Sequence, residues 1–131
     1  MNAPDDNPSF FGKHQPGARG GRESNLHAYW DDLLGTDTSP AAIDRLAEEI
    51  AKEFPAATIA KELAKKNIRD WAEESIEICL GTVYKNLDPD IPQFFDLPIG
   101  YQADAQRVAR RRVAVAGYRL ADELKRLCAE K

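Results

Sequence analysis

Three stretches of this chain repeat their apolar residues every three or four positions, and residues that start or stop helices bound each one. The first begins at Ser39-Pro40, a capping residue followed by a proline whose fixed backbone suits the first helical position. Ile43, Leu46, Ala47 and Ile50 follow at helical spacing, and Pro55 stops or kinks the run. Ala57 to Lys66 reads as a short helix or a continuation. The second stretch runs from Asn67 to about Leu87. Ile68, Trp71, Ala72, Ser75, Ile76, Cys79 and Val83 form its expected buried face, and Asp88-Pro89 and Ile91-Pro92 break it. The last runs from about Ala103 to Ala129, with Val113, Ala116, Gly117, Leu120, Leu124 and Leu127 as its expected buried seam. A mid-helix glycine costs about 1 kcal/mol against alanine, so Gly117 suggests close approach of a neighbouring helix. A shorter helix precedes these, starting at Ser24 or Asn25 and ending at Gly35. No strand pattern and no repeat is visible. The spacing predicts an all-α fold, an irregular helical bundle.

A length of 131 residues, 43% hydrophobic and 31% charged, gives room for one domain and one modest core. Residues 1–23, rich in Pro, Gly, Asn and Asp, are expected as a flexible N-terminal arm with Phe10 and Phe11 as its apolar anchors. Residues 24–131 form the helical domain. Within it, 88–100 is a proline-rich connector carrying Phe94, Phe95 and Leu97. A formal charge of −4 disfavours a nonspecific basic nucleic-acid binder. It leaves open an enzyme that meets phosphate through bound metal ions, where local charge decides. The N-terminus has no apolar run and no basic start, so no signal peptide is read there, and no window approaches the roughly 20 apolar residues that span a membrane. Cys79 and Cys128 fall on apolar helical stretches and are expected as buried free thiols, with a disulfide between them the alternative.

The stretch NLHAYWDDLL, Asn25 to Leu34, holds one of the two histidines. His27 and Asp31 stand at i and i+4, stacked on one helical face with Cβ atoms about 6 Å apart. Their ligand atoms can converge on one ion, and imidazole with carboxylate suits zinc or another first-row divalent metal. Asp32 points about 100° away. A hydrogen-bonded or surface ion pair is the plainer reading of the same spacing. A catalytic zinc takes three protein ligands, and His14, in the arm, is the remaining histidine. Other charged groups suggest less. Arg107 and Arg110-Arg111-Arg112 could meet nucleic acid, but three consecutive positions fan around a helix, and a solvated flank is expected. Glu73 and Glu74 diverge on a helix and read as a charged face beside a core Trp71. Tyr29 and Trp30 could stack a base, with Trp30 packed beneath its helix as the alternative.

The wider pattern resembles the zinc-dependent S1/P1 type nucleases, which share an all-α fold with bacterial phospholipase C. The hallmark NLHxxWD helix stands as Asn25-Leu26-His27-Ala28-Tyr29-Trp30-Asp31, after Gly20-Gly21, where a GGN-type turn has Arg22 in place of Asn. WAxES is matched by Trp71-Ala72-Glu73-Glu74-Ser75, a following VY by Val83-Tyr84, and AGxRLAxxL by Ala116-Gly117-Tyr118-Arg119-Leu120-Ala121 through Leu124. The resemblance covers about residues 20 to 128. It implies a trinuclear zinc centre that hydrolyses phosphodiester bonds in single-stranded RNA and DNA and removes 3′-phosphates from nucleotides. His27 and Asp31 would be ligands to one zinc of that cluster.

Several family features have no counterpart here. Nothing supplies the mature N-terminal tryptophan that binds zinc, nor the further histidines and aspartates of the N-terminal half. Phe11-Gly12-Lys13-His14-Gln15-Pro16 looks like the remainder of a family HxxxDxHQPLH segment. Its HQP histidine is not a ligand, and Gly17 replaces the ligand histidine that follows. The resemblance therefore covers the C-terminal half of the phospholipase C/nuclease fold. It implies a truncated copy, a gene fragment or one piece of a split protein. Two readings follow: a nuclease by descent whose missing ligands come from elsewhere, and a noncatalytic helical remnant or partner-binding fragment. A missing half would also leave apolar surface exposed, which predicts a sticky, self-associating or marginally stable chain. Family members are secreted or periplasmic, and the missing leader argues against export of this chain.

Overall fold

The computed structural model describes residues 26–87 and 97–130. The expected arm, its His14 and Phe10-Phe11, the caps Ser24 and Asn25, and the Phe94-Phe95 patch of the connector lie outside the described residues. Among the described residues every regular element is helical, as the spacing requires. In chain order these are α1 (Leu26–Asp31), α2 (Pro40–Glu53), a 3₁₀ turn (Ala56–Ile59), α3 (Ala60–Ala64), α4 (Ile68–Ile78), a π turn (Cys79–Val83) and α5 (Tyr101–Ala129).

Local chemistry explains where they begin and end. After α1, Gly35 adopts a positive φ of 99°, the left-handed conformation in which glycine ends helices. The Ser39 hydroxyl accepts from the Ala42 amide and Pro40 opens α2, while Pro55 ends it. Asn67 caps α4 by accepting from the Asp70 amide at 2.9 Å and donating to the Asp70 carboxylate at 2.7 Å. The α4 segment does not continue as α-helix to Leu87. It widens at Cys79, where the Tyr84 amide bonds to the carbonyl five residues back at 2.9 Å. Gly81 sits inside this wide turn, and Asn86, at φ 60°, turns the chain out of it.

Two apolar clusters sit along α5. Tyr101 and Ala105, at its start, pack with Tyr29 of α1 and with the half-buried Leu26, Trp30, Leu33, Leu87 and Leu97. Ala114 and Val115, near its middle, pack with Ile50, Phe54 and Ile59. The inward stripe of α5 is Tyr101, Ala105, Val108, Arg112, Val115 and Arg119, a regular alternation of four- and three-residue steps.

That stripe is not the expected seam. Val113, Ala116, Gly117, Leu120, Leu124 and Leu127 are all exposed, Leu120 to 61%. The expected face of α4 is likewise largely outside. Ile68 is 78% exposed and Ala72, Ser75, Ile76 and Cys79 are exposed too, while Trp71 and Val83 are half-buried. The physical reason is a set of ion pairs. Glu74 is the buried residue of α4, and it accepts from Arg112 Nη1 at 3.0 Å and Arg119 Nη2 at 2.8 Å, with Lys65 Nζ at 3.4 Å. Arg119 also donates to the Glu62 carbonyl at 2.8 Å and lies over the Trp71 ring, 4.8 Å from its centroid. Glu74 is thus no member of an exposed charged face.

The arginine triplet fans out as its spacing requires, yet it is not a solvated flank. Arg110 reaches Glu53 at the end of α2 at 2.6 Å, Arg111 reaches Glu62 on α3 at 2.7 Å, and Arg112 reaches Glu74 on α4. Each of three consecutive arginines holds a different helix. Both cysteines are free, as expected, but they are exposed and not buried, because the faces that carry them are exposed. Gly117 has open space where a Cβ would stand, so no helix approaches it among the described residues.

Two stability changes follow. Gly117→Ala stabilises the chain by about 0.5–1 kcal/mol, because it restrains the unfolded backbone at no steric cost, and chemical denaturation checks it. Glu74→Ala strands Arg112 and Arg119 and costs about 3 kcal/mol, a fall in Tm on the order of 10 °C. Burial pushes the Glu74 carboxyl up, but hydrogen bonds from Arg119 and Arg112 and their charges outweigh it and hold the group below the usual range. Its stabilisation is therefore complete above the unfolded carboxyl value and drains as pH falls through the lower folded one. The Tm gap between wild type and Glu74→Ala narrows as pH drops below about 4.

Candidate metal site

A six-residue helix has no stability of its own in water, so what fixes α1 is its packing. Its two aromatic residues turn inward. Tyr29 is buried, with its ring centroid 6.1 Å from that of Tyr101, and burial with the neighbouring Tyr101 pushes its hydroxyl well above the usual phenol range. Trp30 meets the Tyr101 ring edge-on at 6.3 Å, and its Nε1–H donates to the Tyr101 hydroxyl at 3.0 Å. That hydroxyl in turn donates to the carbonyl of Val83, the last residue of the π turn, at 2.7 Å. Burial raises the Tyr101 phenol too, with the bond from Trp30 working the other way, so both hydroxyls stay neutral near pH 7. Trp30 is therefore a packing residue, and Tyr29 offers no face to a base.

With those two seats taken, His27 and Asp31 face solvent together. Their side chains are 87% and 66% exposed, and His27 Nε2 stands 3.3 Å from Asp31 Oδ2. Two donor atoms each about 2.0–2.2 Å from a tetrahedrally coordinated ion lie roughly 3.3–3.6 Å apart. That separation is compatible with two corners of a zinc tetrahedron, and it is equally the separation of an i,i+4 surface ion pair. Asp32, in the turn after α1, is half-buried and stands outside the pair. Among the described residues no group of three or more His, Cys, Asp or Glu side chains gathers at one point.

Tyr101 is the site residue that sequence reasoning passed over, since the last helix was expected to begin at Ala103. A signal was present. Gly100, at φ 84°, and Pro98 mark the start of α5 directly before it, and a buried tyrosine or tryptophan needs a polar partner for its tip. Tyr101 also lines a cleft of about 300 Å³ with Thr82, Lys85, Asn86, Asp104 and Arg107. Arg107 and Lys85 are exposed there and make no ion pair among the described residues, unlike the triplet that follows on α5.

A family model described as S1/P1 Nuclease matches residues 14–129. The chain belongs to the S1/P1 nuclease family. The all-α architecture agrees with that membership, and the matched span takes in α1, with His27 and Asp31, and Tyr101. No curated protein and no solved structure matches the chain. No helix among the described residues of this S1/P1 family member is long and apolar enough to cross a membrane.

Proposed function

We propose that His27 and Asp31 hold one zinc ion of a phosphodiesterase that cleaves single-stranded DNA or RNA and acts on 3′-nucleotides, and that hydrolysis needs ligands beyond these two. The observation that carries this reading is the 3.3 Å approach of Nε2 and Oδ2 on an exposed helical face, with spacing suited to a tetrahedral ion. Family membership supplies the reaction class. Zinc bound there would polarise a phosphoryl oxygen and make a nearby water acidic.

His27 offers a ring nitrogen and Asp31 a carboxylate oxygen to the same point, and the exposure of both leaves that point open to a polymeric substrate. Lys85 and Arg107, in no ion pair with a described carboxylate, outnumber Asp104 in the cleft at Tyr101 and leave it a net positive balance for a phosphate backbone. The second reading is a noncatalytic helical protein. It is favoured by the donor count among the described residues, since two ligands give a weak and labile site.

Calorimetric titration with zinc separates the two. Wild type takes up one equivalent, and His27→Ala or Asp31→Ala lowers the affinity at least tenfold. Equal binding by wild type and His27→Ala would refute the half-site. Where wild type binds, hydrolysis of single-stranded DNA by the same preparation distinguishes a completed nuclease from a chain that only holds metal.

A further inference from the structure

We propose that Tyr101 is a positioning residue for the His27–Asp31 pair, its hydroxyl fixing the rotation of α1 about its axis. The metal role of that pair rests on the reading above, whereas the positioning itself rests on geometry alone.

The argument starts from the length of α1. Six residues give little more than one and a half turns, and nothing internal to them sets which way the helix faces. Apolar contacts from Leu26 and Leu33 hold it against α5, but such contacts are non-directional and tolerate a swivel. Trp30 supplies a directional element. Its indole N–H is a donor with one hydrogen, and that hydrogen goes to Tyr101, 71 residues away in the chain. Trp30 directly precedes Asp31 and follows His27 by three positions, so any change in its seat passes undiminished to both donor groups.

Tyr101 itself is anchored on the other side. Its single hydroxyl proton goes to the Val83 carbonyl, leaving its oxygen lone pairs to accept from Trp30. The widened turn at Cys79–Val83 places that carbonyl beside the start of α5. One oxygen atom thus links three elements: the end of the α4 segment, the first residue of α5 and the middle of α1. Removing it leaves the indole N–H and the Val83 carbonyl without partners in a half-buried setting, while the ring can stay where it is.

Tyr101→Phe is therefore the informative variant, since it keeps the ring against Tyr29 and Ala105. Leu46→Ala is the control, because it loosens the separate cluster around Ile50 and Phe54. Two readouts are taken well below each variant's Tm: zinc affinity by calorimetry, and hydrogen exchange at the Trp30 indole and the α1 amides. The expected result for Tyr101→Phe is about tenfold weaker zinc binding and about tenfold faster exchange confined to α1. Leu46→Ala should leave both at wild-type values. Trp30→Phe should reproduce Tyr101→Phe, and the double variant should be no worse than either single one. Wild-type exchange in Tyr101→Phe, or equal loosening of α1 in Leu46→Ala, would overturn the proposal. Failure of wild type to bind zinc would instead overturn the half-site, and the exchange rates would still decide whether Tyr101 fixes α1.

Discussion

Three adjacent arginines on α5 each grip a different helix, and the rest of the structure is arranged around that fact. Arg110, Arg111 and Arg112 step round the helix by about 100° per residue, so they cannot share a partner. They reach Glu53, Glu62 and Glu74 on α2, α3 and α4 in turn. Their weight is unequal. Arg110 and Arg111 pair with partly exposed carboxylates, and pairs of that kind contribute little each. Glu74 is different, because its side chain is only 7% exposed and that of its second partner Arg119 only 10%. Charges taken that far from water are costly unless fully paired, so this cluster tolerates few alternative arrangements of α4 on α5. The apolar core alone would not impose one, since its fully buried members are few and small beside a 29-residue helix.

This also explains which parts of the fold could be read from the sequence. Helix starts are local chemistry. Ser39-Pro40 opens α2 as the sequence predicts, and α4 starts after Asn67, whose side chain caps it within three residues. Period and class are equally legible. The inward face is not, because periodicity says which residues share a stripe and not which stripe has a neighbour. On α5 two stripes compete. The one with Val113, Leu120, Leu124 and Leu127 is the more apolar, yet the one with Arg112 and Arg119 is inside, since those arginines have Glu74 to meet. A hydrophobicity pattern counts an arginine as outward, and cannot see a carboxylate 38 or 45 residues away. The misplaced faces of α4 and α5, the exposed cysteines and the open space at Gly117 all descend from that one inversion.

The His27–Asp31 pair shows the same division. Their approach was legible because their relation is local, four residues on one helix. What holds them was illegible because it is not local: the bond from Trp30 to Tyr101 closes a loop of 71 residues, and the Val83 carbonyl becomes available only through a turn no propensity rule predicts.

The two apolar clusters consequently serve different ends. The middle of α5, with its ion pairs to α2, α3 and α4, fixes the frame. The start of α5 carries α1 through aromatic rings and one shared hydroxyl, with no ion pair between the two helices among the described residues. The division would suit the metal role proposed for α1. Carboxylates and guanidinium groups packed beside an imidazole–carboxylate pair would compete for the same ion or repel it. Neutral aromatic groups hold α1 without adding charge, and the raised phenol values of Tyr29 and Tyr101 keep them neutral over the range in which zinc can bind. The electrostatic frame and α1 thus meet along a single helix, α5, at points far enough apart that one can be strong while the other stays open to solvent.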